Sequence, residues 1–270
     1  LFNPRDERDI LIVFRSPNKR AQTAKGKKIW FSTDQYTIGS FKDFAPHMDE
    51  NDTISPFHAA YFESVYQITN THTIDLPVRL WDYDIQVPKV EDSLIFCSVP
   101  DRGLHILASV YDELVRRLPN ISLTITSDYR LWGVGSPMNE KYIRKFLGKP
   151  KVRFLGAVSR EELVKEQLAA QIHAYPCIYE ELFCYSVAEC QVAGCYPITS
   201  QVGALHTTNM GLQIPGNPES SEWQKRFVDE IELALKSKNS LTLCQDLKEK
   251  SMNRFYLGNI LDESDKVFYG

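Results

Sequence analysis

The sequence predicts an α/β protein in which helices cover both faces of a parallel sheet. From Ser93 onward, short apolar runs of strand length alternate with amphipathic helical segments, and this alternation is typical of parallel sheets. The 270 residues are 43% hydrophobic and 24% charged, as in ordinary globular proteins. No apolar run approaches the ~18 to 20 residues of a membrane-spanning helix. The chain is long enough for one large or two modest domains, each with its own core.

The amino-terminal part contains few regular elements. ILIVF and KIWFS are apolar runs of strand length, which predicts two buried strands. A third, shorter strand is followed by a helical segment. In chain order, the predicted elements are strands at residues 10–14, 28–32 and 52–55 and a helix at residues 57–66.

A proline-bearing, acidic segment at residues 77–92 has no helical pattern, and we place a domain boundary there. The predicted domains are therefore residues 1–90 and 91–270. Helical spacing is clearest at residues 104–118, where apolar side chains recur every three or four positions. In the second domain the predicted strands are 93–99, 122–127, 152–156, 172–177 and 196–200, and the predicted helices are 104–118, 139–147, 160–170 and 186–193, with more helix from Ser221 onward.

Charge and cysteine usage exclude some classes of function. The formal net charge of −4 provides no general attraction to nucleic acid or to an anionic membrane surface, so we expect no nucleic-acid partner. The six cysteines form no C-x-x-C pair and are expected to be buried reduced thiols. No signal-peptide pattern opens the chain, which favours a cytoplasmic protein with at most peripheral membrane contact. Because the chain begins with Leu1 rather than Met, it suggests a fragment.

The first strand-to-helix junction of the second domain carries a potential phosphate site. In VPDRGLH, Arg102 and Gly103 stand just before a helix. The helix N-terminus favours an anion, and arginine offers a forked cationic donor that suits phosphate. The alternative is an exposed loop in which Arg102 pairs with Asp101. Ligands of parallel sheets bind at the carboxyl ends of the strands, which is where this junction lies.

Two further junctions lie at the same edge of the predicted sheet. In GAVSREEL, Ser159 and Glu162 form a capping box, and the backbone near Val158 could hold a flat base edge. In EELFCYSVAE, Glu181 precedes a helix and Glu189 lies more than one turn inside it, among apolar neighbours. Amides between these two carboxylates suit a phosphate. Glu189 is held either by such a polar ligand or by a structural partner such as Arg or Tyr.

These motifs resemble a known family. EELFCYSVAECQVAGCYPITSQVGAL resembles the E-x7-E signature, and the GAL stretch that follows it, of family 4 glycosyltransferases, which are retaining enzymes of the GT-B fold. VPDRGLHIL resembles their phosphate-binding K/R-G element, and VRFLGAVSREEL resembles their base-binding loop. The resemblance implies a Rossmann-like parallel-sheet domain for the nucleotide sugar, together with a short, incomplete amino-terminal α/β domain.

The resemblance also implies a role for each residue. Glu189 would bind the ribose hydroxyls, Glu181 the transferred sugar, and Arg102 the leaving diphosphate. Further donor contacts would come from Ser98, Gly103, Val158, Phe183, Cys184 and Tyr185. The implied reaction moves a hexose from a UDP- or GDP-linked donor to a glycan, lipid or other hydroxyl acceptor, with retention of configuration and without a cofactor or metal. A nucleotide-sugar-binding module without transferase activity is the alternative, and an interaction domain with purely structural carboxylates is a third interpretation.

Some positions depart from the family pattern. A second basic residue usually precedes the K/R-G element, but this chain has FCSVP there. In the amino-terminal part, WFSTD resembles a W-x-H-D element that keeps Asp34 as a catalytic candidate but has Thr33 where a histidine is frequent. TISPFHAAYF resembles the S-x-x-H element that follows, which makes His58 a weaker candidate beside a surface or capping role.

Carboxylate pairs allow two other interpretations. WDYDI contains a D-x-D spacing at Asp82 and Asp84 that chelates a divalent metal in another class of sugar transferases. It lies in the interdomain segment, so we expect no metal there. A glycosidase would need two facing carboxylates across a sugar cleft. Glu181 and Glu189 flank a helix start instead, and that arrangement suits phosphate better.

Overall fold

The computed structural model describes residues 9–36, 39–134, 137–237 and 240–269. Contacts divide the chain into two compact units. The first unit contains Leu1–Pro77 and Leu257–Gly270, and the second unit contains Val78–Tyr256. The predicted boundary at residues 90 and 91 lies within the second unit of this division. The segment between the two boundaries belongs there because the Tyr83 hydroxyl donates to Gln167 Oε1 (2.7 Å) and Lys89 Nζ donates to the Ala170 carbonyl (2.8 Å).

The first unit is built on a four-stranded parallel sheet. Its strands run in the spatial order β1 (Ile10–Phe14), β2 (Lys27–Phe31), β3 (Glu50–Thr53) and β4 (Thr71–Thr73). The core centres on Trp30, which is fully buried and packs edge-on against Phe41 and Phe44, with ring centroids 4.8 and 5.4 Å away. The helices are α1 (Phe41–Phe44) and α2 (Pro56–Tyr61), and α2 continues as a π-helical turn at Phe62–Tyr66.

The second unit contains a six-stranded parallel sheet with the order of a Rossmann-like fold. Its strands are β5 (Ser93–Phe96), β6 (Ser122–Ile125), β7 (Val152–Phe154), β8 (Ile172–Tyr175), β9 (Tyr196–Ser200) and β10 (Leu212–Ile214). In space they run β10-β9-β8-β5-β6-β7, so the order reverses between β5 and β8. The crevice outside the carboxyl ends of such a pair is the usual ligand position in open α/β sheets.

Helices pack against this sheet and bury its apolar surface. Their bounds are α3 (Leu104–Arg117), α4 (Pro137–Ile143), α5 (Arg160–Ala169), α6 (Tyr185–Val192), α7 (Leu205–Thr208), α8 (Ser221–Lys236) and α9 (Ser240–Arg254). Helix α3 contributes Leu107 and Tyr111, both fully buried, to a core shared with strands β5 and β8 and with helix α8. All six cysteines are buried, and none of them forms a disulfide.

The last helix, α10 (Leu257–Tyr269), groups with the first unit rather than with the helices that precede it. The Lys27 ammonium on β2 donates to the carbonyls of Val267 (2.6 Å) and Phe268 (3.3 Å), because the carboxyl end of a helix attracts a cation. Among the described residues, none of the helices combines the length and the apolar character that a bilayer crossing requires.

Gly103 makes a close approach possible at the reversal of strand order. Its φ is +103°, and a Cβ at this position would lie 2.0 Å from the carbonyl oxygen of Pro176, just after β8. Both the left-handed backbone and the missing side chain are therefore needed for the turn before α3 to pack against the chain after β8.

We expect Gly103→Ala to lower the free energy of unfolding by about 2 to 4 kcal/mol, because overpacking against backbone adds to the strain of a positive φ. Gly148→Ala is the matched control, since Gly148 has a φ of +78° but a methyl group there would meet no atom within 4 Å. The control should cost only about 1 to 2 kcal/mol. Urea titrations followed by circular dichroism measure both, and equal losses would contradict the role of close packing.

Candidate functional site

The two loops that flank the reversal of strand order are joined by an ion pair. Arg102 follows β5 and Glu181 follows β8, and Arg102 Nε donates to Glu181 Oε1 over 3.1 Å. Arg102 also pairs with Asp101 (Nη1 to Oδ1, 3.3 Å), as the exposed-loop alternative required, but its side chain is buried rather than exposed. Its guanidinium lies over the Tyr179 ring, 3.5 Å from the centroid. These three contacts fix the forked Arg102 guanidinium at the switch point of the sheet, which is the place between β5 and β8 where the strand order reverses.

Glu181 is a half-buried carboxylate whose oxygen Oε1 accepts a second hydrogen bond from the Tyr175 hydroxyl (3.0 Å). Burial raises the pKa of Glu181, and the Arg102 charge opposes that rise. The backbone of this loop is also fixed. The Ala204 amide donates to the Glu181 carbonyl (2.7 Å), and a Cβ on Gly203 would lie 2.7 Å from the Glu181 amide nitrogen. The glycine and alanine of the GAL stretch therefore position the loop that carries Glu181.

The residue just before helix α6 has a left-handed backbone conformation. Cys184 precedes the helix with φ 74°, and no side-chain hydrogen bond caps the helix start. By contrast, α5 and α8 begin with serine caps at Ser159 and Ser220. Helix α3 also lacks a side-chain cap, since Gly103 precedes it. The helices that start beside the Arg102 and Glu181 loops thus have N-termini suited to an anion.

The three residues expected to contact the donor through backbone amides differ in exposure. Phe183 is buried and packs edge-on against Phe255, with centroids 5.8 Å apart. Cys184 is buried, whereas the Tyr185 ring is exposed. The side chain of Phe183 therefore anchors the turn next to the end of α9, whereas the Tyr185 ring faces solvent.

Glu189 is held by an arginine. Arg160 Nη1 donates to Glu189 Oε1 over 2.6 Å, and Gln167 Nε2 donates to Glu189 Oε2 over 3.4 Å. The side chain of Glu189 keeps 15% of its surface exposed. Burial raises the pKa of Glu189, and the Arg160 charge opposes the rise. This contact is the structural pairing that sequence analysis left open, and both carboxylate oxygens have a donor.

The D-x-D spacing is part of the same charge network. Asp82 Oδ2 accepts from Arg160 Nε (2.8 Å) and pairs with Arg79 (3.2 Å). Two cations therefore neutralise the half-buried Asp82.

One group among the described residues has metal-ligand chemistry. The ligand atoms of Cys97, His173 and Cys190 lie within 4.8 Å of one another, and all three residues are buried. Cys97 Sγ is 3.5 Å from Cys190 Sγ and 3.7 Å from His173 Nε2. A closed structural zinc site takes four protein ligands, whereas this group offers three in the described part of the chain. We therefore interpret the contacts as mutual hydrogen bonds of buried thiols and an imidazole.

The remaining donor-side candidates of the second unit lie at neighbouring strand ends. The Ser98 hydroxyl is 3.3 Å from the Tyr175 hydroxyl, which joins it to the Glu181 contacts. Val158 is half-buried in the loop after β7. The adjacent Ala157 amide donates to Asp128 Oδ2 (3.3 Å), so the loop after β6 fixes the loop expected to hold the base.

Two candidates, Asp34 and His58, lie in the first unit. Asp34 pairs with Arg15. His58 is fully buried, in contrast to the expected surface role, and its Nδ1 accepts from the Ile54 amide (3.3 Å). Burial lowers the pKa of His58 to about 4. Asp52, which sequence analysis did not single out, is fully buried with neither carboxylate oxygen partnered among the described residues, and burial raises its pKa to about 6.

Sequence analysis also missed Arg160. The pattern SREEL was interpreted as a helix cap, and that role is correct, because Ser159 Oγ accepts from the Glu162 amide (3.2 Å). A cation in the first turn of a helix opposes the helix dipole, and this unfavourable position was the available signal.

Comparisons with known proteins identify the fold and the family of the chain. The chain resembles the crystal structure of a glycosyltransferase from Rickettsia africae (TM-score 0.78, 16% identity, covering 96% of this chain and 76% of that one). It also resembles a sucrose-phosphate synthase from Thermosynechococcus elongatus (TM-score 0.69, 17% identity, 92% and 69% covered). The third structure, HepE from Anabaena in complex with UDP and glucose, has a TM-score of 0.68, 14% identity, and coverage of 93% and 73%. No curated relative matches the chain by sequence.

The likeness to these structures shows the fold, which is of the GT-B type with Rossmann-like parallel sheets and a short amino-terminal domain. The family "Glycosyl transferases group 1" matches residues 87–254, which is well over half of the chain and includes every donor-side residue described above. On this evidence, the chain belongs to the group 1 glycosyltransferases.

Proposed function

We propose that this protein is a retaining, metal-independent hexosyltransferase of family 4, carrying the E-x7-E signature at Glu181 and Glu189. It moves a sugar from a UDP- or GDP-linked donor to a hydroxyl of a glycan, lipid or other acceptor. The observation that carries the proposal is the Arg102–Glu181 pair at the switch point of the sheet, beside the uncapped start of α6. A buried cation next to uncapped helix N-termini suits a diphosphate, and the carboxylate beside it suits sugar hydroxyls.

Each residue has a chemical role in this proposal. Arg102 stabilises the charge that develops on the leaving diphosphate, and Glu181 orients the transferred sugar. Glu189 accepts hydrogen bonds from the ribose hydroxyls. The bond from the anomeric carbon to the diphosphate breaks while the bond to the acceptor oxygen forms on the same face. The acceptor proton goes to the departing phosphate.

The ligand of a structural neighbour and the residue at position 33 both bear on the proposal. HepE, a structural neighbour, was crystallised with UDP and glucose, which supports a uridine nucleotide as the first donor to try. Thr33 stands where a histidine is frequent in the family, and this substitution favours the alternative of a nucleotide-sugar-binding module without transfer. Asp34 remains the candidate for a catalytic role on the acceptor side.

Calorimetry against UDP-, GDP- and ADP-sugars, with a chelator present, tests the donor assignment. We expect one class to bind with a Kd in the micromolar range, and to release its nucleoside diphosphate when a suitable alcohol acceptor is added. Binding that requires added magnesium or manganese would contradict metal independence. Binding without any release across acceptor classes would support the binding-module alternative, and no binding would overturn the proposal.

Arg102→Ala should weaken a nucleoside diphosphate about ten- to hundredfold and the corresponding nucleoside much less, because only the former loses a charge-assisted contact. Arg102→Lys should fall between, since lysine keeps the charge but not the fork. Arg116→Ala is the control, because Arg116 is exposed on α3 and pairs with Glu113. Equal weakening of nucleotide and nucleoside would show that Arg102 acts on folding instead.

Glu181→Gln and Glu189→Gln should fail in different ways. Glu189→Gln should lower the affinity for the free nucleotide, since the charged acceptor for ribose is lost. Glu181→Gln should leave that affinity nearly intact while slowing transfer, because its partner is the sugar. Titration calorimetry and initial rates separate the two. If both variants bind nucleotide and nucleotide sugar like the parent while melting at lower temperature, both carboxylates are structural.

A further inference from the structure

The contacts of Glu189 extend to a fixed arginine that nothing in the family motif accounts for. Arg160 is the first residue of α5, and its three donor nitrogens have three different partners. Nε donates to Asp82 Oδ2 (2.8 Å), Nη1 to Glu189 Oε1 (2.6 Å) and Nη2 to the Tyr83 hydroxyl (3.3 Å). All four residues belong to the second unit.

We propose that Arg160 is a positioning residue for the nucleotide's ribose, acting through Glu189 and itself held by Asp82 and Tyr83. This inference rests on the proposed role of Glu189 and extends it to residues outside the E-x7-E signature. Arg160 binds one oxygen of Glu189 and fixes the orientation of the carboxylate. Gln167 donates to the other oxygen, and in this proposal the ribose hydroxyls meet the 15% of the Glu189 side chain that stays exposed.

The position of Arg160 does not depend on Glu189 alone. Arg160 can therefore stay in place when a ligand binds Glu189, instead of competing with the ligand for the carboxylate. Asp82 binds a different nitrogen of Arg160 and is itself held by Arg79. Tyr83 is buried, and its hydroxyl donates to Gln167 Oε1 (2.7 Å), so its place is fixed too. A ligand at Glu189 would therefore find Arg160 anchored, whereas a loosely held arginine would simply be displaced.

Charge and burial also favour this role. Glu189 lies in an apolar helix beside Cys190 and Val192, where a carboxylate without a cation would be strongly disfavoured. The cation comes from the first turn of α5, where the helix dipole is unfavourable to it. The two carboxylates, Asp82 and Glu189, offset that unfavourable position. With 15% of its side-chain surface exposed, Glu189 remains within reach of a ligand.

The test compares a ribonucleoside diphosphate with its 2′,3′-dideoxy analogue, using UDP and 2′,3′-dideoxy-UDP or the nucleotide that the protein prefers. The measured quantity is the ratio of the two affinities in the parent, Arg160→Met, Arg160→Lys, Glu189→Gln and the double variant Arg160→Met/Glu189→Gln. Melting temperatures report whether each variant is folded. Arg153→Met is the matched control, because Arg153 pairs with Glu166 of α5 through two nitrogens (3.0 and 2.7 Å) rather than with Glu189.

We expect Arg160→Met to weaken the ribonucleotide about tenfold, the usual cost of a lost charge-assisted contact, and to leave the dideoxy analogue nearly unchanged. The affinity ratio should thus fall toward that of Glu189→Gln. The double variant should bind no more weakly than Glu189→Gln, because Arg160 acts through Glu189. Arg160→Lys should restore part of the ratio, and Arg153→Met should keep the parental ratio.

Other outcomes overturn the inference in distinguishable ways. A parental ratio in Arg160→Met beside a reduced ratio in Glu189→Gln would leave the ribose role of Glu189 intact but remove Arg160 from it. Additive losses in the double variant would show that Arg160 contacts the nucleotide directly. Tighter binding by Arg160→Met would show that Arg160 competes with the ligand. A parental ratio in Glu189→Gln itself would instead contradict the proposed function on which the inference rests.

Discussion

The compensation of two half-buried carboxylates is the constraint on which the rest of the site depends. Glu181 and Glu189 lie just before α6 and inside it, and burial raises the pKa of both. Each is balanced by an arginine from another strand-to-helix junction, Arg102 after β5 and Arg160 after β7. The loops after β5, β7 and β8 are therefore coupled through charge. A change in the position of one loop would disturb the ion pair that joins it to another.

This constraint explains features that are otherwise separate. The turn at Gly103 must approach the backbone after β8 so that Arg102 reaches Glu181, and Gly203 must allow the Glu181 loop to pack against its backbone. The helices that begin at these loops lack side-chain caps, and their N-termini favour an anion. Asp82, which has the spacing of a metal ligand, is used as a counter-charge for Arg160.

Sequence periodicity predicted the parallel sheet and the strand ends, because strand and helix periods differ and each apolar run is bounded. Motif spacing then identified Glu181, Glu189 and Arg102. Strands β4 and β10 were missed because neither forms an apolar run: β4 reads THT, and the two apolar residues of β10, LQI, are separated by a glutamine. Arg160 and the return of α10 to the first unit were missed for another reason: the contacts Arg160–Glu189 and Lys27–Val267 join residues far apart in sequence. Side-chain pairing over such separations follows from packing and leaves no local pattern.

Hydrogen exchange measured by mass spectrometry, with and without the preferred nucleotide sugar, tests whether the paired carboxylates belong to the donor site. We expect simultaneous protection of three segments that are distant in sequence but adjacent at the strand ends: the turn around Arg102, the loop around Val158, and the start of α6 from Glu181 to Glu189. Protection should be lost together in Arg102→Ala. A nucleotide sugar that protects none of these segments would contradict a donor site built on the paired carboxylates.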